Sequence, residues 1–154
     1  QTHGLKLVWA LETHAHADHI TSAGLLAEHA SARTAAPEGC YIGTASVQLV
    51  DGQLLQFGAQ QLRCLHTPGH TPGSISFVID GEVVVTGDTL FAGSIGRTDL
   101  PRGSIAEISH SLRAKIAPLP GDLRVLPGHG EETTIARELA SNIYLKAAMA
   151  GELQ

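Results

Sequence analysis

Short apolar runs separated by turn residues fill the first two thirds of the chain, and helical spacing returns near its end. Leu5 to Leu11, with Val8 and Trp9, predicts a buried strand that stops just before Glu12-Thr13-His14. Leu25, Leu26 and Ala30 then fall near helical spacing, with Asp18 and Thr21 as candidate caps, so a helix is expected at or just after residue 19. Residues 31–52 carry scattered Gly, Pro and Thr without a sustained period and predict loop with short strands. Leu54 to Phe57, Leu62 to His66, Ser74 to Ile79 and Glu82 to Thr86 read as strands, with Asp80-Gly81 as a hairpin turn. Ser104-Ile105-Ala106-Glu107 matches a capping box, and Ile105, Ile108, Leu112 and Ile116 continue the helix to Pro118. Arg124 to Leu126 predicts a further strand. Ile135, Leu139, Ile143 and Ala147 predict one closing helix over about residues 133–150.

A chain of 154 residues with 43% hydrophobic content fits one domain, 1–154, with a substantial core. Its formal charge of −5 disfavours a polyanionic partner, so no nucleic acid is expected. No apolar run approaches the roughly 20 residues needed to cross a bilayer, and the first residues lack the layout of a secretory signal. These features predict a cytoplasmic protein that does not enter membranes. Cys40 and Cys64 lack metal-ligand spacing and are expected to be reduced.

Histidine changes the picture, because nine are present where about three or four would be usual. Four residues of metal-binding type fall within Thr13-His14-Ala15-His16-Ala17-Asp18-His19. His14 and His16, two apart, project from one side of an extended segment, and Asp18 and His19 follow where the chain turns into the helix. Imidazole nitrogen and carboxylate oxygen suit zinc, iron or manganese. Three more islands each place one ligand after a strand: Thr67-Pro68-Gly69-His70, Thr86-Gly87-Asp88-Thr89 and Pro127-Gly128-His129-Gly130. His3, His29, His66 and His110 have no such context and receive no role.

These four islands resemble the metallo-β-lactamase superfamily from about Leu5 to Leu145. The resemblance implies a four-layered αββα fold. It also implies one metal held by His14, His16 and His70, a second held by Asp18, His19 and His129, and Asp88 bridging both. Two divalent ions are implied, zinc first, with iron or manganese as alternatives. True β-lactamases typically lack the bridging Asp, so Asp88 argues against antibiotic hydrolysis. A two-metal centre lowers the pKa of a shared water and polarises the carbonyl it attacks. Asp18 and Asp88 are the expected catalytic carboxylates, with Asp18 also able to orient the attacking hydroxide.

The stretch Gly87 to Pro101, followed by Pro127-Gly128-His129-Gly130 and Thr133-Thr134-Ile135, is similar to short bacterial glyoxalase II-like hydrolases, which implies hydrolysis of a glutathione-derived thioester. Arg97 is then the candidate for a substrate carboxylate, with an exposed structural ion pair as its alternative role. Leu11 to Gly24 is instead similar to persulfide dioxygenases, which implies a single iron on His14, His70 and Asp88. The hydrolase is the favoured expectation. A metal-binding domain without turnover is the non-enzymatic alternative.

Two departures from the family pattern carry expectations of their own. The family normally places further strands and a helix before the first motif, so, if these residues are the whole polypeptide, a sheet lacking N-terminal strands with an uncovered apolar face is expected, and with it dimerisation or poor stability. Near the end, Arg137 and Asn142 match an Arg-x-x-x-x-Asn-Pro pattern, but Ile143 replaces the proline, and the last helix is expected to run on.

Overall fold

The computed structural model describes residues 4–15 and 21–154. Two sheets lie face to face. The smaller contains β1 (Trp9–Leu11), β2 (Arg33–Pro37) and β3 (Val47–Leu49), in that order and parallel throughout. The larger is built from β4 (Leu54–Phe57), β5 (Gln60–His66), β6 (Ile75–Ile79) and β7 (Val83–Gly87) as an antiparallel meander. After a two-stranded hairpin, β8 (Leu90–Phe91) and β9 (Ser94–Ile95), the chain returns as β10 (Arg124–Pro127) parallel to β7, and β11 (Thr133–Thr134) closes that edge.

Alternation along the central strands explains the layering, since successive side chains of a strand point to opposite faces. Cys64 and Phe77 face the small sheet, where they join Ala35, Leu49, Leu55, Leu62 and Ile75 in one core. Leu65, Val78 and Val84 point the other way, into a second core with Ile108, Leu112, Ile116, Ile135 and Leu145. Helix α1 (Ala23–Ala30) packs on β1 and β2, completing the αββα order. The turn at Asp80-Gly81 has φ of 50° and 73°, the left-handed pair that a type I′ hairpin requires.

The second helical region starts as expected: the Ser104 side chain accepts from the Glu107 N–H at the head of α2 (Ile105–Ser111). Residues Leu112–Ile116 then widen into a π-helical stretch before Pro118.

Three expectations need correction. Leu5, Leu7 and Val8 are exposed, because the strand starts only at Trp9 and, among the described residues, β1 is joined to β2 alone. With Trp9, Leu55 and Phe57, Leu7 and Val8 line an open apolar cavity of about 280 Å³. Leu25 and Leu26 are 62% and 49% exposed, so α1 buries little beyond Ala23. The closing helix is two helices, α3 (Ile135–Ser141) and α4 (Ile143–Ala150). Asn142 leaves helical geometry at ψ 114°, and its Oδ1 accepts from the N–H groups of Tyr144 and Leu145. The break resets the helical register. Ile143, expected in the core, is 68% exposed, and Leu145 and Ala148 are buried instead.

Candidate metal centre

Four loops at the ends of four strands meet at one place. His14 follows β1, and the Thr13 carbonyl beside it accepts from Ile75 N–H at the start of β6, which ties the two sheets together there. His70 sits in the Thr67–Ser74 loop between β5 and β6, closed by Thr67 N–H to Ser74 O and by the Ser74 hydroxyl accepting from Thr71 N–H. Asp88 follows β7 directly. His129 follows β10, whose register slips between Leu126 and Pro127, and Gly128 N–H donates to Gly87 O at 2.8 Å.

Three imidazole Nε2 atoms converge on a single carboxylate oxygen. Asp88 Oδ2 lies 3.5 Å from His70, 3.4 Å from His129 and 3.9 Å from His14. The His14 and His70 rings meet edge to face with centroids 5.1 Å apart. His14, His70 and Asp88 are buried and offer ligand atoms that all lie within 4.8 Å of one another.

The electrostatics call for a cation. His70 Nδ1 lies 2.8 Å from the Arg97 carbonyl, a contact that requires the proton on Nδ1. That leaves Nε2 as the ring atom turned toward the carboxylate, the nitrogen through which an imidazole ligates a metal. Asp88 Oδ1, the other carboxylate oxygen, is buried without a hydrogen-bond partner among the described residues. A buried acceptor left unpaired is costly, and a divalent ion is the partner this donor set fits.

Backbone shape holds the carboxylate. A Cβ on Gly128 would lie 2.1 Å from Asp88 Oδ1, and one on Gly96 would lie 1.9 Å from the Asp88 carbonyl oxygen. Only glycine permits either approach. Neither glycine was singled out by sequence reasoning as a support of the site. The available signal was their closeness in the chain to His129 and to the Gly87-Asp88 segment.

Arg97 contributes in a way its sequence position did not suggest. Its carbonyl orients His70, while its exposed guanidinium makes a two-pronged ion pair with Asp99, with both nitrogen to oxygen distances 2.9 Å. The expected ligands His16, Asp18 and His19 lie outside the described residues. Of the histidines given no role, His29 contacts the Leu25 carbonyl and His66 the Pro72 carbonyl, both local structural bonds. Cys40 and Cys64 are free thiols.

Comparison with known proteins agrees with this fold. The family model described as "Metallo-beta-lactamase superfamily" matches residues 1–129. The human protein "Persulfide dioxygenase ETHE1, mitochondrial" is 40% identical over 134 residues, covering 82% of this chain and 50% of that protein. "Hydroxyacylglutathione hydrolase GloC" of Haemophilus influenzae is 44% identical over 98 residues, covering 63% of this chain and 46% of that protein. The chain thus spans about half the length of these curated relatives. The crystal structure of ETHE1 from Myxococcus xanthus superposes with a TM-score of 0.86 at 32% identity, covering 97% of this chain and 72% of that one.

Proposed function

Because the chain belongs to the metallo-beta-lactamase superfamily, we propose that it hydrolyses a glutathione-derived thioester at a centre of two divalent metal ions. The observation that carries this reading is the third imidazole at Asp88: His129 Nε2 approaches Oδ2 as closely as His70 does, at 3.4 against 3.5 Å. A single ion on His14, His70 and Asp88 makes no use of that group, whereas a bridging carboxylate with ligands on both sides does.

In this reading His14, His16 and His70 hold one ion, Asp18, His19 and His129 hold the other, and Asp88 is shared. Bound there, the metals supply an acidified water and Lewis-acid polarisation of the carbonyl. Everything else falls to the chain. The Arg97 carbonyl fixes the His70 tautomer, and the Thr13 hydroxyl, 3.0 Å from His14 Nδ1, holds the His14 ring in place. Asp18 orients the attacking water. Substrate enters from the His129 side, since that side chain is 66% exposed while those of His14, His70 and Asp88 are at most 8% exposed. No proton donor is needed for the leaving group, because a glutathione-like thiol of pKa about 8.5 departs as thiolate. Arg97 is the proposed contact for a substrate carboxylate. A glutathione-derived substrate and two free thiols both suit the reducing cytoplasm.

A second reading has its own observation. His14, His70 and Asp88 by themselves form a compact, buried two-histidine, one-carboxylate set, the arrangement of non-haem iron oxygenases. It is supported by the 40% identity to a persulfide dioxygenase over most of the chain.

Metal analysis of the purified protein beside two assays separates the readings. Two equivalents of metal with turnover of lactoylglutathione are expected. One iron, oxygen uptake with glutathione persulfide and no thioester hydrolysis would replace the hydrolase by the dioxygenase. His129→Ala is expected to abolish thioester turnover while leaving the three-ligand set intact.

A further inference from the structure

Outside the metal site the fold buries a carboxylate. Glu138 on α3 is fully buried, as is Asn142 one turn later. Its three donors are neutral: Thr133 Oγ1 at 2.6 Å to Oε1, and Gly93 N and Asn142 Nδ2, each at 2.8 Å, to Oε2. The Asn142 amide also donates to Ser94 O at 3.0 Å and to Phe91 O at 3.4 Å. Together the two side chains hold both strands and the turn of the β8–β9 hairpin, and Thr133 at the far end of the His129 loop.

The hairpin leads to the metal centre by two routes. Phe91 presents its ring edge to face against His129, with centroids 5.9 Å apart. Beyond β9 the chain passes Gly96, against the Asp88 carbonyl, and reaches Arg97, whose carbonyl meets His70. His129 depends on the first route. His14 and His70 each have a hydrogen-bond partner at Nδ1, but among the described residues no hydrogen bond fixes the His129 ring, which is largely exposed. Among the described residues its ring is therefore held between Asp88, at 3.4 Å from Nε2, and the Phe91 ring, and Phe91 is placed by the hairpin.

We infer that Glu138 and Asn142 are positioning residues that aim His129 at Asp88 by holding the β8–β9 hairpin. A purely structural network would support the whole fold equally; this one ends on the one ligand of the three whose ring, among the described residues, has no hydrogen bond at Nδ1 and is steadied beside Asp88 by Phe91. Glu138→Gln is the informative change, because it preserves volume while replacing a charged acceptor by a neutral one: a carboxamide oxygen in the place of Oε2 holds Gly93 N–H and the Asn142 amide more weakly, and its own NH2 has to turn to Thr133 Oγ1.

The test is NMR of the histidine ring protons in metal-free protein, with thermal unfolding alongside. In Glu138→Gln the His129 ring signals should shift away from the Phe91 ring-current position, while those of His14 and His70 stay in place. Phe91→Leu should move the His129 signals in the same way with little change in thermal midpoint. Unmoved His129 signals in Glu138→Gln, or equal shifts at all three histidines, would overturn the inference. Should Glu138→Gln fail to fold, Asn142→Ser, which keeps an oxygen to cap α4, carries the same expectation.

The consequence for metal binding rests on the two-metal reading and is measured separately by cobalt titration. Wild type should take two equivalents, and Glu138→Gln should weaken only the second, by about tenfold or more. A wild type that takes one equivalent overturns the two-metal reading, and the NMR shifts still decide whether the hairpin aims His129.

Discussion

Gly128 leaves the space in which the Asp88 carboxylate stands: a methyl group on Gly128 would come within 2.1 Å of Oδ1. The tight Gly128 N–H to Gly87 O bond keeps these two backbones from separating. Gly128→Ala must therefore rotate the carboxylate away from the three imidazoles. Metal affinity is expected to fall about 10- to 100-fold, the range seen when a ligand's support is lost, while circular dichroism stays that of wild type. Equilibrium dialysis against zinc or iron measures it, and undiminished metal content would show that the loop yields instead of Asp88.

Arg97 and Asp99 offer a test of substrate recognition. An exposed ion pair contributes little to stability, so removing it should leave the thermal midpoint within about 2 °C. Asp99→Asn frees the guanidinium for a substrate carboxylate and is expected to lower KM for lactoylglutathione, whereas Arg97→Ala should raise KM with kcat nearly unchanged. The His70 contact survives both changes, because it uses the Arg97 backbone carbonyl. Equal KM in all three proteins would leave Arg97 with the ion pair alone.

Those two sites show what sequence pattern can and cannot carry. The hairpin at Asp80-Gly81, the capping box at Ser104 and the strand before His129 were legible, because each depends on local backbone chemistry or on alternation along a few residues. His14, His70, Asp88 and His129 were legible as a set because each follows a strand, and these strand ends of the two facing sheets lie together. The break at Asn142 was not, although Asn is a good capping residue. What decides it is a buried partner, Glu138, and the carbonyls of a hairpin about 50 residues earlier. The Arg97 carbonyl was invisible for a related reason, since backbone groups leave no mark on residue type. Leu25 and Leu26 matched helical spacing yet stayed exposed, because spacing says which residues share a face and not whether anything covers it.

Cys64 predicts the response to alkaline pH. Burial, with a smaller contribution from the Asp51 charge, pushes its thiol up to about 11 from the ordinary value of 9.0. The folded state then holds a proton that the unfolded chain releases, so folding stability declines as pH rises from about 9 toward 11. Below pH 9 the thiol is neutral in both states and the effect vanishes. Urea unfolding of metal-free protein at pH 8 and pH 10.5 should show this loss, reduced in Cys64→Ala. At pH 7.5 Cys64 should also resist iodoacetamide in the native protein and react once unfolded. A native Cys64 that alkylates as fast as free cysteine would contradict the burial argument.

Ile143 tests why the last helix breaks. It is the first residue of α4, its side chain is 68% exposed, and Asn142 before it has ψ of 114°, close to the range a following proline favours. Proline at the first helical position loses no intrahelical hydrogen bond and restricts the unfolded chain, so Ile143→Pro should be neutral or stabilising by about 0.4–1 kcal/mol. Asn142→Ala should behave in the opposite way. It removes the cap from Tyr144 and Leu145, about 0.5–2 kcal/mol, and strips Glu138 of one donor in a site closed to water, about 1–3 kcal/mol more. At about 2–4 °C per kcal/mol for a domain of this size, the thermal midpoints of the two variants should lie at least several degrees apart. If Ile143→Pro were as damaging as Asn142→Ala, the break would depend on the Ile143 side chain and not on the capping and tethering of Asn142.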